Sequence, residues 1–432
     1  MMTYEQALAY LASLQRFGIN LGLARIERLL QLLGHPERRF RSLHIAGTNG
    51  KGSTTAMLAS ALTAAGIRTG MYISPHLLDY TERISIDGQP VSRSGFGAAI
   101  GKVAALAEAM QAEGLEHPTE FELITAAAFD CFAAAGVEYA VIETGLGGRF
   151  DSTNVIIPEV AVITNVTVEH ADRLGPELAD IAGHKAGIIK AGRPVVTAAA
   201  GEALAVIRAE AAKLDSSVYA LGQEFFAEAA GLQDGKQLLA FSGGVDAGQY
   251  ACSLLGRHQA ANAALTLMTL QLLSDPRLTA AAIHTGLAAA VWPGRFEILS
   301  RRPELIIDGA HNPDGAAALR LTLDEIYPGR PVVFVLGMLA DKDIAAVTSI
   351  LVRPADRVVA VKPDSPRAAE PGDIIALCTP GQAIASTTVA AGMGRAAALA
   401  GENGIVCVAG SLYQVGEARQ AALGGQAISA PL

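Results

Sequence analysis

Leu43-His44-Ile45-Ala46-Gly47-Thr48-Asn49-Gly50-Lys51-Gly52-Ser53-Thr54 is the stretch that decides the fold. Leu43–Ala46 is an apolar run that reads as a buried strand, and Ala56–Ala65 reads as a helix. A glycine-rich turn between strand and helix lets backbone N–H groups close around a polyphosphate at the positive end of the helix dipole. Lys51 supplies a point charge for the β- and γ-phosphates, and the hydroxyls of Ser53 and Thr54 fall where Mg²⁺ is held. The strict pattern G-x-x-x-x-G-K-[ST] is not met, because Ile45 stands in place of its first glycine and Gly52 separates Lys51 from Ser53. The loop is a variant of the phosphate-binding pattern.

On either side of this loop, short β-branched runs alternate with Ala/Leu-rich helical stretches. The runs are Leu43–Ala46, Thr69–Ile73, Tyr139–Thr144, Val160–Thr164 and Val195–Ala198, then Leu305–Asp308, Val332–Leu336, Arg357–Val361 and Ile405–Ala409. Uninterrupted apolar strands separated by helices predict a parallel sheet covered on both faces, hence an α/β fold. ISIDGQPVS reads as a hairpin turning at Asp87-Gly88. Residues 217–256 lack helical periodicity and predict small strands at the edge of a first domain, followed by a helix over Gln259–Leu273. Trp292-Pro293-Gly294-Arg295 interrupts the pattern before a fresh β/α series. The chain of 432 residues exceeds one typical core, and the expected domains are 1–296 and 297–432.

Composition excludes several classes. No apolar run reaches the roughly 18 residues needed to span a bilayer. The N-terminal residues lack a basic segment followed by an apolar core, so a cytoplasmic protein is expected. Cys131, Cys252, Cys378 and Cys407 form no C-x-x-C pair, which predicts reduced, buried thiols rather than structural zinc. A net charge of −9 argues against a nucleic-acid surface, while a small anionic substrate needs only a local cluster of cations.

In parallel sheets chemistry gathers at the carboxyl ends of strands. Ser74 follows one run, Glu143 opens Glu143-Thr-Gly-Leu-Gly-Gly-Arg149, and Glu169-His170 follow another. A hydroxyl, a carboxylate and an imidazole beside a phosphate loop suit Mg²⁺, which takes few protein ligands, although histidine is an unusual one. Gly145-Leu-Gly-Gly fails as a dinucleotide fingerprint, which needs glycine at Phe150. Lys185, judged from its neighbours alone, reads as a surface helix lysine. In the second series Asp308-Gly-Ala-His311-Asn312-Pro313 ends a strand, and Arg295 sits in the interdomain turn, either exposed or able to swing onto a nucleotide. Gly337–Asp343 and Gly410–Tyr413 end two further strands, and no G-x-S-x-G elbow occurs.

Taken together, GTNGKGST, YISPHL, FELITAAAF, ETGLGGRFDSTNV, HKAGIIK, GRHQAANA, WPGRFE, DGAHNPDG, GMLADKD and GSLY occur in the order found in folylpolyglutamate synthase/dihydrofolate synthase, a branch of the ATP-dependent Mur ligases. The chain resembles that family from about residue 20 to 419. The resemblance implies a P-loop ATPase domain with a smaller Rossmann-like domain and an active site between them. It also implies the reaction, ATP-driven addition of L-glutamate to dihydropteroate or reduced folates in folate biosynthesis and one-carbon metabolism, by a monomer.

Carried over position by position, Gly50, Lys51, Gly52 and Ser53 hold ATP, with Asn262, Arg295 and Asp308 as further nucleotide contacts. Ser74, Glu143 and His170 match Mg²⁺ ligands, and two ions are implied. Phe121, Glu122, Phe150, Asp151 and Ser152 match the pteroate pocket, with Leu21–Ala24 beside it. Lys51, Glu143, His170, Lys185 and His311 form the catalytic set. Lys185 matches a lysine that the family carbamylates, which replaces the surface reading. Two departures stand out: His184 precedes Lys185 where the family has an acid, and Glu169 precedes His170 where it has Asp.

Overall fold

A computed structural model describes residues 1–14, 18, 20–244 and 247–424. The strands, in chain order, are β1 (Arg41–Ala46), β2 (Thr69–Tyr72), β3 (Ile84–Ile86), β4 (Gln89–Pro90), β5 (Tyr139–Glu143), β6 (Val160–Ile163), β7 (Val195–Thr197) and β8 (Val218–Ala220). They make an eight-stranded sheet in the order β4-β3-β2-β5-β1-β6-β7-β8, parallel from β2 to β8, with β3 and β4 antiparallel at one edge. After the exposed Arg41, β1 is buried on both faces, as a doubly covered parallel strand requires, with Leu43, Ile45 and Ala46 apolar and Ser42 and His44 polar. The β3–β4 hairpin turns at Asp87 and Gly88 with φ of 50° and 76°, the two left-handed residues that a tight hairpin favours.

Next in the chain are β9 (Phe225–Gln233), β10 (Lys236–Gly243) and β11 (Gly248–Cys252), a separate antiparallel sheet of order β11-β10-β9. Only β8 of the expected 217–256 strands joins the edge of the main sheet. The last series is β12 (Glu297–Arg301), β13 (Glu304–Asp308), β14 (Val333–Leu336), β15 (Arg357–Ala360), β16 (Ala383–Ala385) and β17 (Ile405–Ala409). Its sheet has the order β12-β13-β17-β14-β15-β16 and is parallel except for β12.

Four of the five expected strands of the first series stop one residue early, leaving Ile73, Thr144, Thr164 and Ala198 in the loops that follow. β12 and β16 went unpredicted, being short, half-exposed strands with little apolar signal.

The chain divides into two compact units. The first comprises residues 1–76, 80–253 and 259–290, and the second 77–79, 254–258 and 291–432. The expected boundary near Glu297 therefore lies six residues late, and two short excursions belong to the second unit. Leu77 packs among Val335, Val408 and Val415, a tertiary choice that local sequence does not encode.

In the first unit, helices Tyr4–Leu14, Ala24–Leu32, Arg93–Ala112 and Glu120–Ala134 close one core, which includes Tyr72, Phe96, Phe129 and Phe132. Helices Leu178–Ala186 and Gly201–Lys213 cover another around Ile163, Ile181 and Val195. Helix Lys51–Ala64 is buried along most of its length, with Ser60 Oγ donating to Gly286 O at 2.7 Å. In the second unit, Phe334, Leu336, Ile306 and Cys407 centre the core on one side of the sheet. Among the described residues no helix is long and apolar enough to cross a membrane. Cys252 and Cys407 are buried and Cys131 and Cys378 half-buried, and none of the four is in a disulfide.

Candidate active site

β1 delivers Gly47, and the helix begins at Lys51 with Gly50 as its N-cap in the left-handed region, φ 84°. The loop between them is held by neighbouring backbone. Thr48 N donates to Asn165 O at 3.1 Å, Asn49 N to Asn165 Oδ1 at 2.8 Å, and Thr164 Oγ1 to Asn49 O at 2.6 Å. Lys51 Nζ donates to Gly47 O and Thr48 O at 3.2 Å each, so its charge lies over the loop that cradles phosphate.

Ser53 is buried and accepts from Gln259 Nε2 at 3.2 Å, and Gln259 in turn accepts from Asn262 Nδ2 at 2.9 Å. Asn262, expected only from resemblance, thus lies against the loop. Gln259 was missed, although its i, i+3 spacing to Asn262 puts both on one helix face.

A Cβ built on Gly50 lies 2.4 Å from Asn262 Oδ1 in a backbone conformation that disfavours side chains. Gly50→Ala is therefore expected to weaken ATP binding about tenfold, consistent with roughly 1 kcal/mol or more of strain. Calorimetric titration with ATP is the measurement.

A cleft beside the loop is lined by Gly47, Lys51, Thr144, Gly145, Gly147, Glu169, His170 and Lys185, among others. Lys185 is 4% exposed, which corrects the surface reading based on its neighbours. Burial pushes its ammonium down to about 7, helped by the Lys51 charge and opposed by Glu169. The burial follows from close backbone packing. A Cβ on Gly148 would lie 2.8 Å from His184 O, and one on Gly187 would lie 2.4 Å from Arg149 Cβ. Only glycines let the Gly145–Arg149 loop press against helix Leu178–Ala186, and Arg149 N donates to His184 O at 2.7 Å across that contact.

Glu143 ends β5 directly beside Ile45 of β1, 4% exposed, and Ser74 lies just past β2 on the far side of β5. His170 lies past β6, on the opposite side of β1, exposed and left-handed at φ 54°. Among the described residues no three His, Cys, Asp or Glu side chains form a ready cage. The donors flank the phosphate loop, and such a set suits an ion that completes its shell with phosphate oxygens and water.

The expected pocket residues divide into two groups. Phe121 lies on the Gly145 loop, where a Cβ would come within 2.6 Å of its ring, and Phe150 is exposed with its ring edge-on to His184 at 5.9 Å. Glu122, by contrast, is 1% exposed and engaged internally. It caps its helix through Thr119 and pairs with Arg25 Nε at 3.1 Å, a partner that sequence reading did not find.

Asp151 is likewise buried, as is Ser152. Its Oδ2 accepts from Leu146 N at 2.8 Å, and its Oδ1 from Thr153 N at 3.0 Å and Thr153 Oγ1 at 2.5 Å. Burial raises the Asp151 carboxyl, and these hydrogen bonds pull it back down. Thr153 Oγ1 also lies 2.8 Å from His44 Nε2.

In the second unit Asp308 ends β13 and organises the turn behind it. Its Oδ2 accepts from Phe296 N and its Oδ1 from Ala310 N, both at 2.8 Å. His311 Nδ1 donates to Gly309 O at 2.7 Å, which places the ring proton on Nδ1. Arg295 is half-buried, with Nη1 2.8 Å from a Cβ built on Gly309. Glu297 braces that turn by accepting from Gly294 N at 2.8 Å and pairing with Arg419 Nε at 3.0 Å. Asn312 caps the following helix, Pro313–Ile326.

Comparison with known proteins agrees with this arrangement. The Mur ligase middle domain matches residues 45–270, and the Mur ligase glutamate ligase domain matches 294–412. The dihydrofolate synthase/folylpolyglutamate synthase of Bacillus subtilis is 36% identical over 427 residues, 96% of this chain and 98% of that one. The enzyme of the same name from Escherichia coli is 32% identical, covering 94% and 93%. A Mycobacterium tuberculosis folylpolyglutamate synthase solved with ADP and AMPPCP superposes with a TM-score of 0.89 at 35% identity, over 98% and 99% of the two chains. Escherichia coli FolC, solved with DHPP and ADP, superposes with a TM-score of 0.86 at 31% identity, over 96% and 97%. With its phosphate loop on a parallel sheet, its separate smaller α/β unit and near full-length similarity, the chain belongs to the dihydrofolate synthase/folylpolyglutamate synthase family of ATP-dependent Mur ligases.

Proposed function

We propose that this enzyme adds L-glutamate to dihydropteroate, to the γ-carboxylate of reduced folates, or to both, with ATP as co-substrate. The observation that carries this reading is one cleft in which the phosphate-loop Lys51 meets the buried Lys185, His170 and the Gly145–Gly147 loop. A carboxylate is a poor electrophile until its oxygen becomes a leaving group. The acceptor carboxylate attacks the γ-phosphorus, ADP departs, and an acyl phosphate forms. The glutamate amine then attacks the acyl carbon, loses a proton, and phosphate leaves with one former carboxylate oxygen.

Phosphoryl transfer depends chiefly on positioning and charge neutralisation, which assigns Gly50, Lys51, Gly52 and Ser53 to the polyphosphate. Asn262, Arg295 and Asp308 are assigned to the nucleotide, and Phe121 and Phe150 offer flat apolar faces to the pterin or aryl part of the acceptor. His311, its proton fixed on Nδ1, joins the catalytic set.

Ser74, Glu143 and His170 would hold Mg²⁺, which supplies charge neutralisation at the phosphates when bound. Lys185 is suited to carry a carbamate, because its burial favours the uncharged amine that CO₂ requires. The product is an anion facing Lys51, and a second Mg²⁺ would bind there. We place the enzyme in the cytoplasm as a monomer.

The test is phosphate release by purified protein with ATP, Mg²⁺ and glutamate. Release should require dihydropteroate or a tetrahydrofolate. Stimulation by UDP-muramoyl precursors and not by pterins would assign a different Mur-type acceptor. No stimulation by any acceptor, with ATP still bound, would point instead to a nucleotide-binding regulatory module.

A further inference from the structure

We infer that His44 and Thr153 are positioning residues for the acceptor half of the reaction, acting through Asp151 on the loop that follows β5. His44 lies in central β1, 0% exposed, between the apolar Leu43 and Ile45. A wholly apolar strand would serve the sheet better. The imidazole loses its hydration, and among the described residues its Nδ1 has no hydrogen-bond partner. What the ring gains is one directed bond. Asp151 Oδ1 accepts from the Thr153 hydroxyl at 2.5 Å, so Thr153 Oγ1 has a lone pair left for His44 Nε2–H at 2.8 Å.

The chain of donors continues past the carboxylate. Asp151 Oδ2 accepts from Leu146 N at 2.8 Å. Gly145, Leu146 and Gly147 line the cleft with Lys51, His170 and Lys185. A buried relay therefore ties the strand that carries the phosphate loop to the loop that faces Lys185. Burial and the nearby Lys190 charge keep the imidazole neutral, so it donates from a fixed nitrogen. Asp151, matched by resemblance to a substrate pocket, spends its oxygens holding this loop. Relays of this kind set a reactive geometry without touching the reactants.

The inference rests on the proposed ligase activity for its kinetic arm and is independent of it in a second arm. Steady-state kinetics would compare wild type with Thr153→Val, His44→Leu, Thr153→Ser and His44→Gln, varying ATP, acceptor and glutamate separately. Thr153→Val and His44→Leu should lower kcat/KM for the acceptor about ten- to a hundredfold with the KM for ATP within about twofold. Thr153→Ser and His44→Gln keep the hydroxyl and an N–H near the same point, and should recover to within about threefold. The double variant should be no worse than the worse single one, as expected for members of one relay.

Hydrogen exchange at the Leu146 amide needs no substrate and should speed up at least about tenfold in Thr153→Val. Unchanged Leu146 protection, or acceptor kinetics within twofold of wild type, would overturn the inference. A KM for ATP that rises in step with the acceptor effect would also overturn it, by showing general loosening of the sheet. Wild-type protein inactive on every pteroate or folate would overturn the ligase reading alone, leaving the exchange measurement to judge the relay.

Discussion

Lys185→Ala is expected to cut glutamate ligation by about a thousandfold, the scale of removing a principal electrostatic contact from a transition state. The lysine sits in the cleft with Lys51, His170 and Glu169, and burial holds its ammonium down at about 7. An amine so placed is ready to take up CO₂, and the resulting anion would face Lys51. Alanine removes both. The loss would not come from unfolding. A lysine whose pKa is lower in the folded chain than in the unfolded one weakens the fold at low pH and penalises it less as pH rises. The wild-type chain without CO₂ should gain stability relative to Lys185→Ala between about pH 7 and 10.5. Thermal melts at both ends of that window check the sign. Mass spectrometry of native protein should find one added CO₂ at Lys185, and a small carboxylate should partly restore the alanine variant. Near-normal turnover in Lys185→Ala would remove the carbamate from the account.

Lys51→Ala is expected to lower kcat about a hundred- to a thousandfold, with acceptor binding little changed. Its ammonium lies on Gly47 O and Thr48 O at 3.2 Å, over the loop assigned to the polyphosphate. The helix and loop hold without it, because Asn165 and Thr164 anchor the loop backbone independently. ATP binding and single-turnover acyl phosphate formation can therefore be read separately. A variant that phosphorylates acceptor at the wild-type rate would deny Lys51 its role.

What sequence made legible was mostly local. The phosphate loop, the β3–β4 turn and the segments that form the central strands follow from residue type and short-range period, and appear within a residue or two of where expected. Lys185 was misread from its neighbours because its burial depends on Gly148 and Gly187 letting a loop meet a helix, a fact about two distant segments. Glu122 and Asp151 look alike as candidate pocket acids, yet Arg25 and Thr153 decide their work, and those partners are tertiary. Segments 77–79 and 254–258 joined the second unit for the same reason. The ordered motifs resembling the family supplied what local reading could not, including Asn262 at Gly50.

In the proposed reaction ATP activates the acceptor as an acyl phosphate before glutamate attacks. Dihydropteroate carrying oxygen-18 in its carboxylate, turned over with ATP and glutamate, tests it directly. Phosphate should carry one labelled oxygen for each amide formed. Unlabelled phosphate released alongside amide would contradict it.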